Sequence, residues 1–173
     1  MKMIKKILLF DEKISFQMLK FYKHHIFNEI MKFISSCGDF GMSWLVIILL
    51  TNIYTPTRIM SIHMLIALIA STLLGQITIK TIVKRKRPCQ KYPRNDLLVP
   101  IPSDASFPSG HTMSSFACST VMMFYYPEFG IIGIVYAILT AFSRLYLFMH
   151  YVSDVVVGTV LGILVGIFCV MCI

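Results

Sequence analysis

The sequence predicts an all-α protein, a polytopic membrane helix bundle of about five transmembrane helices with an N-terminal amphipathic interfacial helix. Hydrophobic residues make up 57% of the 173 residues and charged residues only 14%, whereas soluble domains are about half apolar and about a quarter charged. The mean hydropathy is +0.76. This composition excludes a disordered chain and disfavours a soluble enzyme. The length predicts a single domain over 1–173.

Residues 14–36 predict an amphipathic helix rather than a membrane span. Several cations in this stretch would each cost about 3 kcal/mol in hydrocarbon. Apolar residues nevertheless recur at helical spacing along one face, with polar residues on the other. Such a helix lies in the membrane interface. A helix packed across the end of the bundle is the alternative.

Five apolar stretches follow, and crossing a bilayer takes about 20 apolar residues. They are predicted as membrane spans at 38–54, 59–80, 111–126, 129–149 and 151–172.

The long polar stretch at 81–110 is rich in Lys, Arg and Pro, and a loop of this length in a compact protein is usually functional. We expect it to be the active-site loop. The net charge is +8, and the cations lie outside the most apolar runs or at their edges. That placement fits membrane phosphates and an anionic substrate better than nucleic acid.

Three clusters of polar residues stand at the ends of these spans. In the first, Lys80 and Arg87 are seven residues apart, so they share a helical face, and Pro88 follows them. Two cations at the end of a span form a pocket for an anion. Lys and Arg side chains that extend to the membrane interface are the alternative.

The second cluster is Ser109-Gly110-His111 at the start of an apolar run. Ser109 is a natural helix cap, and the free N–H groups of a helix N-terminus bind anions. Gly110 lets a phosphate come close, and His111 sits in the first turn beside it. A capped helix with an incidental histidine is the alternative.

The third cluster joins Arg144, His150 and Asp154. His150 and Asp154 are four residues apart and therefore share one face of a helix. The carboxylate can orient the imidazole and leave its other nitrogen free to attack. A structural His–Asp pair at the membrane edge is the alternative. Ends and beginnings of spans alternate so that all three clusters reach the same side of the membrane.

These residues resemble the type 2 phosphatidic acid phosphatase superfamily of integral-membrane lipid phosphatases. The family signature is K-x6-RP, then PSGH, then SR-x5-H-x3-D. Lys80–Pro88, Pro108–His111 and Ser143–Asp154 match it without a departure.

The resemblance implies a role for each residue of the clusters. His150 is the nucleophile that forms a phosphohistidine, and Asp154 is its partner. His111 protonates the leaving oxygen and then activates water. The phosphoryl oxygens are held by Lys80, Arg87, Ser109, the Gly110 N–H and Arg144.

The resemblance implies a metal-independent lipid phosphatase that needs no cofactor. The expected reaction is undecaprenyl diphosphate to undecaprenyl phosphate; phosphatidylglycerophosphate and phosphatidic acid are alternative substrates. A lipid phosphotransferase, a non-catalytic membrane scaffold or channel, and a soluble haloperoxidase with the same motifs remain other classes, the last disfavoured by the apolar spans. The expected partners are the lipid phosphate and the bilayer, with no nucleic acid.

The expected location is the cell membrane, with the active site on the outer face as is usual in the family. The positive-inside rule opposes this orientation. Every Lys and Arg except Arg58 falls on the active-site side of a five-span arrangement.

Three further features carry predictions of their own. Gly158, Gly162 and Gly166 continue the four-residue spacing of His150 and Asp154. Such small-residue stripes let helices approach closely in lipid, so this face is predicted to pack inside the bundle, with a homodimer contact as the alternative. Asp39 is expected to cap or introduce the first span, and Asp104 to be a solvated loop carboxylate.

Overall fold

The computed structural model describes residues 2–172, and all regular secondary structure in that range is helical, as the composition predicts. The α-helices are α1 (Lys2–Met18), α2 (His25–Cys37), α3 (Met42–Ile53), α4 (Arg58–Ser71), α5 (Lys80–Val83), α6 (Pro88–Lys91), α7 (Gly110–Tyr125), α8 (Pro127–Tyr146) and α9 (Val152–Cys172). Single 3-10 turns cover Leu19–Lys23, Asp39–Gly41 and Thr55–Thr57, and a π-helical segment, Thr72–Ile79, joins α4 to α5.

The N-terminal region differs from the single helix predicted over 14–36, because the structure breaks it at His24. The Asn28 side chain explains the break. Its amide donates to the Tyr22 carbonyl at 2.8 Å, and its own oxygen accepts a 2.5 Å bond from the Tyr146 hydroxyl of α8. These bonds satisfy polar groups at the break and fasten it to the bundle.

The number of membrane crossings remains a prediction. Three stretches between residues 2 and 172 are long and apolar enough to cross a membrane: Thr55–Lys91, Pro127–Tyr146 and Val152–Cys172. His25–Cys37 and Asp39–Ile53, bent by 52°, add a fourth if the pair is one span. The remaining predicted span is α7, whose 16 residues fall short of the usual length.

Helix α7 lies at the centre of the bundle, packed against α4, α8 and α9. Its many serines are buried at this position, where each hydroxyl needs a hydrogen-bond partner. The Trp44 indole donates to the Ser115 hydroxyl at 3.0 Å, and the Ser119 hydroxyl donates to the Ser115 carbonyl at 2.8 Å. The central position of α7 brings its N-terminal turn to the inside of the protein.

The glycine stripe of α9 packs directly on α7, which confirms the predicted buried face. A Cβ atom on Gly162 would lie 2.4 Å from the Met113 carbonyl oxygen, and one on Gly158 would lie 2.8 Å from the Ser109 carbonyl oxygen. Gly166 is buried in the same way. The two backbones can therefore approach closely, which fixes the start of α9 beside the start of α7.

Candidate active site

Residues from all three sequence clusters line one cavity of about 670 Å³. These residues lie at the start of α5, in the turn before α6, in the first turn of α7, in the last turn of α8 and in the link between α8 and α9. The clusters therefore meet in one place, as their order along the chain predicts. Those lining the cavity are Lys80, Arg87, Gly110, His111, Arg144 and His150.

His150 is almost fully buried in the wall of this cavity, and its Nε2 lies 2.8 Å from Arg87 Nη1. A guanidinium can only donate, so Nε2 accepts and the proton is assigned to Nδ1. Burial, together with the charges of Arg87 and Arg144, holds the pKa of His150 well below its usual value. The imidazole is therefore neutral, and its Nε2 lone pair accepts the hydrogen bond from Arg87.

Asp154 lies beside His150 without a direct hydrogen bond. The separation of His150 Nδ1 and Asp154 Oδ2 is 3.6 Å, and Nδ1 is buried with no hydrogen-bond partner among the described residues. The carboxylate instead accepts from the Tyr151 backbone N–H at 2.9 Å and from the Ser106 hydroxyl. The sequence prediction places the pair correctly but misses these other partners.

Arg85 is the main residue beside the site that the sequence analysis missed. Its Nη1 lies 2.5 Å from Asp154 Oδ1, and its Nη2 lies 2.8 Å from Asp11 Oδ2 of α1. Asp11 also accepts from the Ser153 backbone N–H at 3.0 Å, and the guanidinium lies 4.1 Å from the Tyr151 ring centroid. This buried network ties the N-terminal helix to the His–Asp edge. In the sequence, Arg85 is hidden among neighbouring cations.

The cations of the first cluster are joined by Asp104. Lys80 Nζ lies 2.5 Å from Asp104 Oδ2, and Arg87 Nη2 lies 2.8 Å from Asp104 Oδ1. Burial raises the pKa of Asp104, but Lys80 and Arg87 outweigh it and leave the pKa below its usual value. Asp104 is 49% exposed, as expected of a loop carboxylate, but the sequence analysis did not predict that it would pair with both cations. The carboxylate occupies the position between two cations that an anionic ligand would take.

Arg144 supplies a third cation to the cavity and is almost completely buried. Its Nη1 donates to the Ser35 hydroxyl of α2, while its Nε is buried without a partner among the described residues. A buried, incompletely paired guanidinium is costly unless an anion completes its hydrogen bonds.

The first turn of α7 brings Gly110 to the cavity but turns Ser109 away from it. A Cβ on Gly110 would lie 1.9 Å from the Gln76 side-chain nitrogen, so any larger residue here would require the Gln76 side chain to move. Ser109 occupies the N-cap position, but its hydroxyl pairs with Thr112 at 2.8 Å and makes no capping bond to the backbone. Ser109 does not line the cavity, whereas the first N–H groups of α7 lack partners within the helix.

His111 pairs with Asp39 from the turn between α2 and α3. Its Nε2 lies 2.8 Å from Asp39 Oδ1, and both residues line the cavity. Asp39 was expected only to cap or introduce a span, and this second His–Asp pair joins residues too far apart in sequence for spacing to reveal it.

A membrane-embedded helix bundle with three cations, two histidines and a helix N-terminus around one cavity defines a lipid phosphatase, an enzyme that hydrolyses phosphoric esters. The chain belongs to the PAP2 superfamily, whose family model matches residues 60–173. This match confirms the resemblance seen in the three motifs.

Named relatives support the same class. The chain is 29% identical to an undecaprenyl-diphosphatase of Sulfolobus acidocaldarius over 85% of this chain and 71% of that protein. It is 35% identical to a decaprenylphosphoryl-5-phosphoribose phosphatase of Mycobacterium tuberculosis over 77% of this chain and 73% of that one. The crystal structure of a PAP2-type phosphatidylglycerolphosphate phosphatase from Bacillus subtilis has a TM-score of 0.73 and 29% identity, covering 92% and 82% of the two chains.

Proposed function

We propose that the protein hydrolyses the terminal phosphate of a lipid diphosphate, converting undecaprenyl diphosphate to undecaprenyl phosphate through a phosphohistidine at His150. One observation carries the proposal: His150 is neutral, and its Nε2 lies 2.8 Å from the Arg87 guanidinium. A phosphoryl group bound to Arg87 would therefore stand beside Nε2, whose lone pair becomes free to attack once the Arg87 N–H donates to a phosphoryl oxygen instead.

The reaction has two balanced steps. In the first, His150 Nε2 forms a bond to the terminal phosphorus while the bond from that phosphorus to the bridging oxygen of the diphosphate breaks. That oxygen takes the electron pair and leaves as part of the lipid phosphate. In the second, water attacks phosphorus, the P–N bond breaks with its electron pair returning to His150 Nε2, and a neutral His111 accepts the proton of the water and then releases it to solvent. Phosphoryl transfer needs mostly positioning and charge stabilisation, which cations fixed beforehand provide.

The cations of the cavity suit a diphosphate end group. Lys80, Arg87 and Arg144 line the same space, and the N-terminal turn of α7 faces it at Gly110. Before the substrate can bind to Lys80 and Arg87, the Asp104 carboxylate has to leave the position between them.

The shape of the cavity supports a long-chain substrate. Its lining includes Lys80 at one end and, twelve residues earlier in α4, the apolar Leu68, with the π-helical segment between them. Phe40 and Thr72 line the same part. The headgroup would lie at the cationic end, with the first part of the hydrocarbon chain beside Leu68.

The choice of undecaprenyl diphosphate rests on the likeness to the Sulfolobus undecaprenyl-diphosphatase. A phosphatidylglycerophosphate substrate is the second candidate, favoured by the fold shared with the Bacillus subtilis phosphatase. Both carry a terminal phosphate on a lipid.

The test is phosphate release by the purified protein in detergent with EDTA, on undecaprenyl diphosphate, phosphatidylglycerophosphate and phosphatidic acid. We expect EDTA-resistant release, fastest on the diphosphate, and none by His150→Ala. Full turnover by His150→Ala would refute the nucleophile. A preference for phosphatidylglycerophosphate would establish the second candidate. Release only after addition of a lipid or sugar acceptor would indicate a phosphotransferase.

We further propose that the active site opens at the outer face of the cell membrane, as is usual in the family. Lys84 is exposed beside the site, so a cysteine at this position reports the orientation. A membrane-impermeant maleimide should label Lys84→Cys in intact cells. Labelling only after the cells are broken would place the site in the cytoplasm, as the positive-inside rule predicts.

A further inference from the structure

The pairing of Asp39 with His111 has a chemical consequence for the proposed reaction. Asp39 begins the short turn Asp39–Gly41 between α2 and α3, and its Oδ1 lies 2.8 Å from His111 Nε2. The His111 side chain is only 16% exposed, whereas that of Asp39 is 54% exposed. The contact therefore joins the histidine in the wall of the cavity to a carboxylate at its open side.

The turn that carries Asp39 is shaped around the histidine. A Cβ atom on Gly38 would lie 2.9 Å from His111 Cδ2, so the missing side chain lets this backbone approach the ring. The next residues, Phe40 and Gly41, have φ values of 53° and 70°. Positive φ is strained for a bulky residue such as Phe40, and strain of this kind is found where a chain is held for function.

The contact determines which nitrogen of His111 can serve the reaction. Because Nε2 is engaged by Asp39, the nitrogen left to donate a proton to a leaving oxygen is Nδ1. After it gives that proton away, His111 is neutral, and its Nε2 keeps a proton that donates a hydrogen bond to Asp39. In the hydrolysis step, Nδ1 takes the proton of the attacking water, and the starting state returns.

The other cations of the cavity oppose protonation of His111, and Asp39 counteracts them. A protonated His111 would stand in a cavity that also holds Lys80, Arg87 and Arg144. Asp104 is already shared between the first two of these cations. Asp39 is the carboxylate in direct contact with His111, and it offsets the positive charge that a proton donor must carry.

We infer that Asp39 is a positioning residue that acts through His111, and that its importance depends on the leaving group of the substrate. This inference rests on the proposed function. Asp39 precedes the residues that match the family model, 60–173, so its assignment comes from the geometry of this chain.

Two classes of lipid phosphate differ sharply in what their leaving oxygen needs. When the terminal phosphoryl group of a lipid diphosphate is transferred, the leaving group is the lipid monophosphate. The second pKa of such a phosphate is about 6, so it can leave without receiving a proton. A phosphate monoester releases an alkoxide, whose conjugate acid is an alcohol about as weak as water, so it leaves far more readily when it receives a proton. Loss of Asp39 should therefore slow phosphoryl transfer from a monoester far more than from a diphosphate.

The test compares dodecyl phosphate with dodecyl diphosphate, which share one chain and differ in the leaving group. The measured quantity is kcat/KM, which covers only the steps up to release of the lipid product. We expect Asp39→Asn to lower kcat/KM for dodecyl phosphate by about 30- to 100-fold, within the usual range for general acid catalysis, and for dodecyl diphosphate by about threefold or less.

Two further variants separate a chemical effect from a structural one. Asp96→Asn changes an exposed loop carboxylate that pairs with Arg94, and it should leave the ratio of the two substrates unchanged. In a His111→Ala background, Asp39→Asn should have no additional effect on that ratio, because Asp39 acts through His111.

The outcomes are distinct. An equal loss on both substrates, or no loss in Asp39→Asn, would overturn the inference while leaving the phosphatase intact. A wild-type protein that releases phosphate from neither substrate, although undecaprenyl diphosphate is hydrolysed, would overturn it because the predicted monoester activity is missing. Failure of the wild type on every lipid phosphate would refute the proposed function itself.

Discussion

Replacing Arg85 by methionine tests the buried network that joins α1 to the His–Asp edge. In the wild type, one guanidinium neutralises two carboxylates, with Nη1 at 2.5 Å from Asp154 and Nη2 at 2.8 Å from Asp11. Both carboxylates are buried, at 0% and 1% exposure. Arg85→Met therefore leaves two uncompensated negative charges beside each other.

The expected loss of stability follows from that burial. Removing one partner of a buried ion pair costs about 3–5 kcal/mol, because the remaining charge stays desolvated. For a chain of this size, each kcal/mol lowers Tm by about 2–4 °C, which gives a fall of about 6–20 °C. Activity should fall as well, because Asp154 loses the contact that holds it beside His150.

The assay is thermal unfolding in detergent of Arg85→Met, Asp11→Asn and the double variant. Asp11→Asn removes one of the two charges, so the double variant should be more stable than the sum of the single losses predicts. Lys86→Met, an exposed neighbour, is the control and should change the free energy of unfolding by less than about 0.5 kcal/mol. If the stability losses of Arg85→Met and Asp11→Asn simply add in the double variant, the two residues are not coupled and the reasoning is refuted.

Three further predictions concern loop, packing and protonation. Asp104→Asn should lower KM for the lipid diphosphate by about 3- to 10-fold, because the substrate no longer competes with a carboxylate for Lys80 and Arg87. A raised KM in initial-rate measurements would contradict this. Gly162→Ala should cost about 1–3 kcal/mol in thermal unfolding, because the new Cβ would lie 2.4 Å from the Met113 carbonyl oxygen, whereas Val160→Leu on the exposed side of α9 should be neutral. The unfolded state binds a proton at His150 more readily than the folded state does, so stability is lost as pH falls below about 6.5, by up to about 1.4 kcal/mol per pH unit. Urea titrations at pH 7 and pH 5.5 should show a smaller pH effect in His150→Gln.

The fold class, the membrane setting and the meeting of three clusters could be predicted because they depend on composition and local spacing. The shared face of Gly158 and Gly162 could be predicted as well, since residues four apart lie on one side of a helix whatever that side packs against. The break at His24 was not, because it depends on a hydrogen bond from Tyr146, more than a hundred residues away.

The carboxylates of the site escaped sequence analysis for the same reason. Asp11, Asp39 and Asp104 have no local pattern that separates them from ordinary solvated or capping residues. Their partners, Arg85, His111 and Lys80, become their neighbours only when the helices pack. Motifs within one helix can be read from spacing, whereas ion pairs between elements require the tertiary structure.

The most direct test of the central claim is to trap the phosphohistidine on His111→Ala with terminally labelled lipid diphosphate. Its formation needs no proton donor, while its hydrolysis needs His111 as a base, so the intermediate should accumulate. The label on the protein should be stable to alkali and labile to acid, and it should be absent when His150→Ala is added. Label that persists without His150, or steady turnover with no labelled protein, would contradict the mechanism.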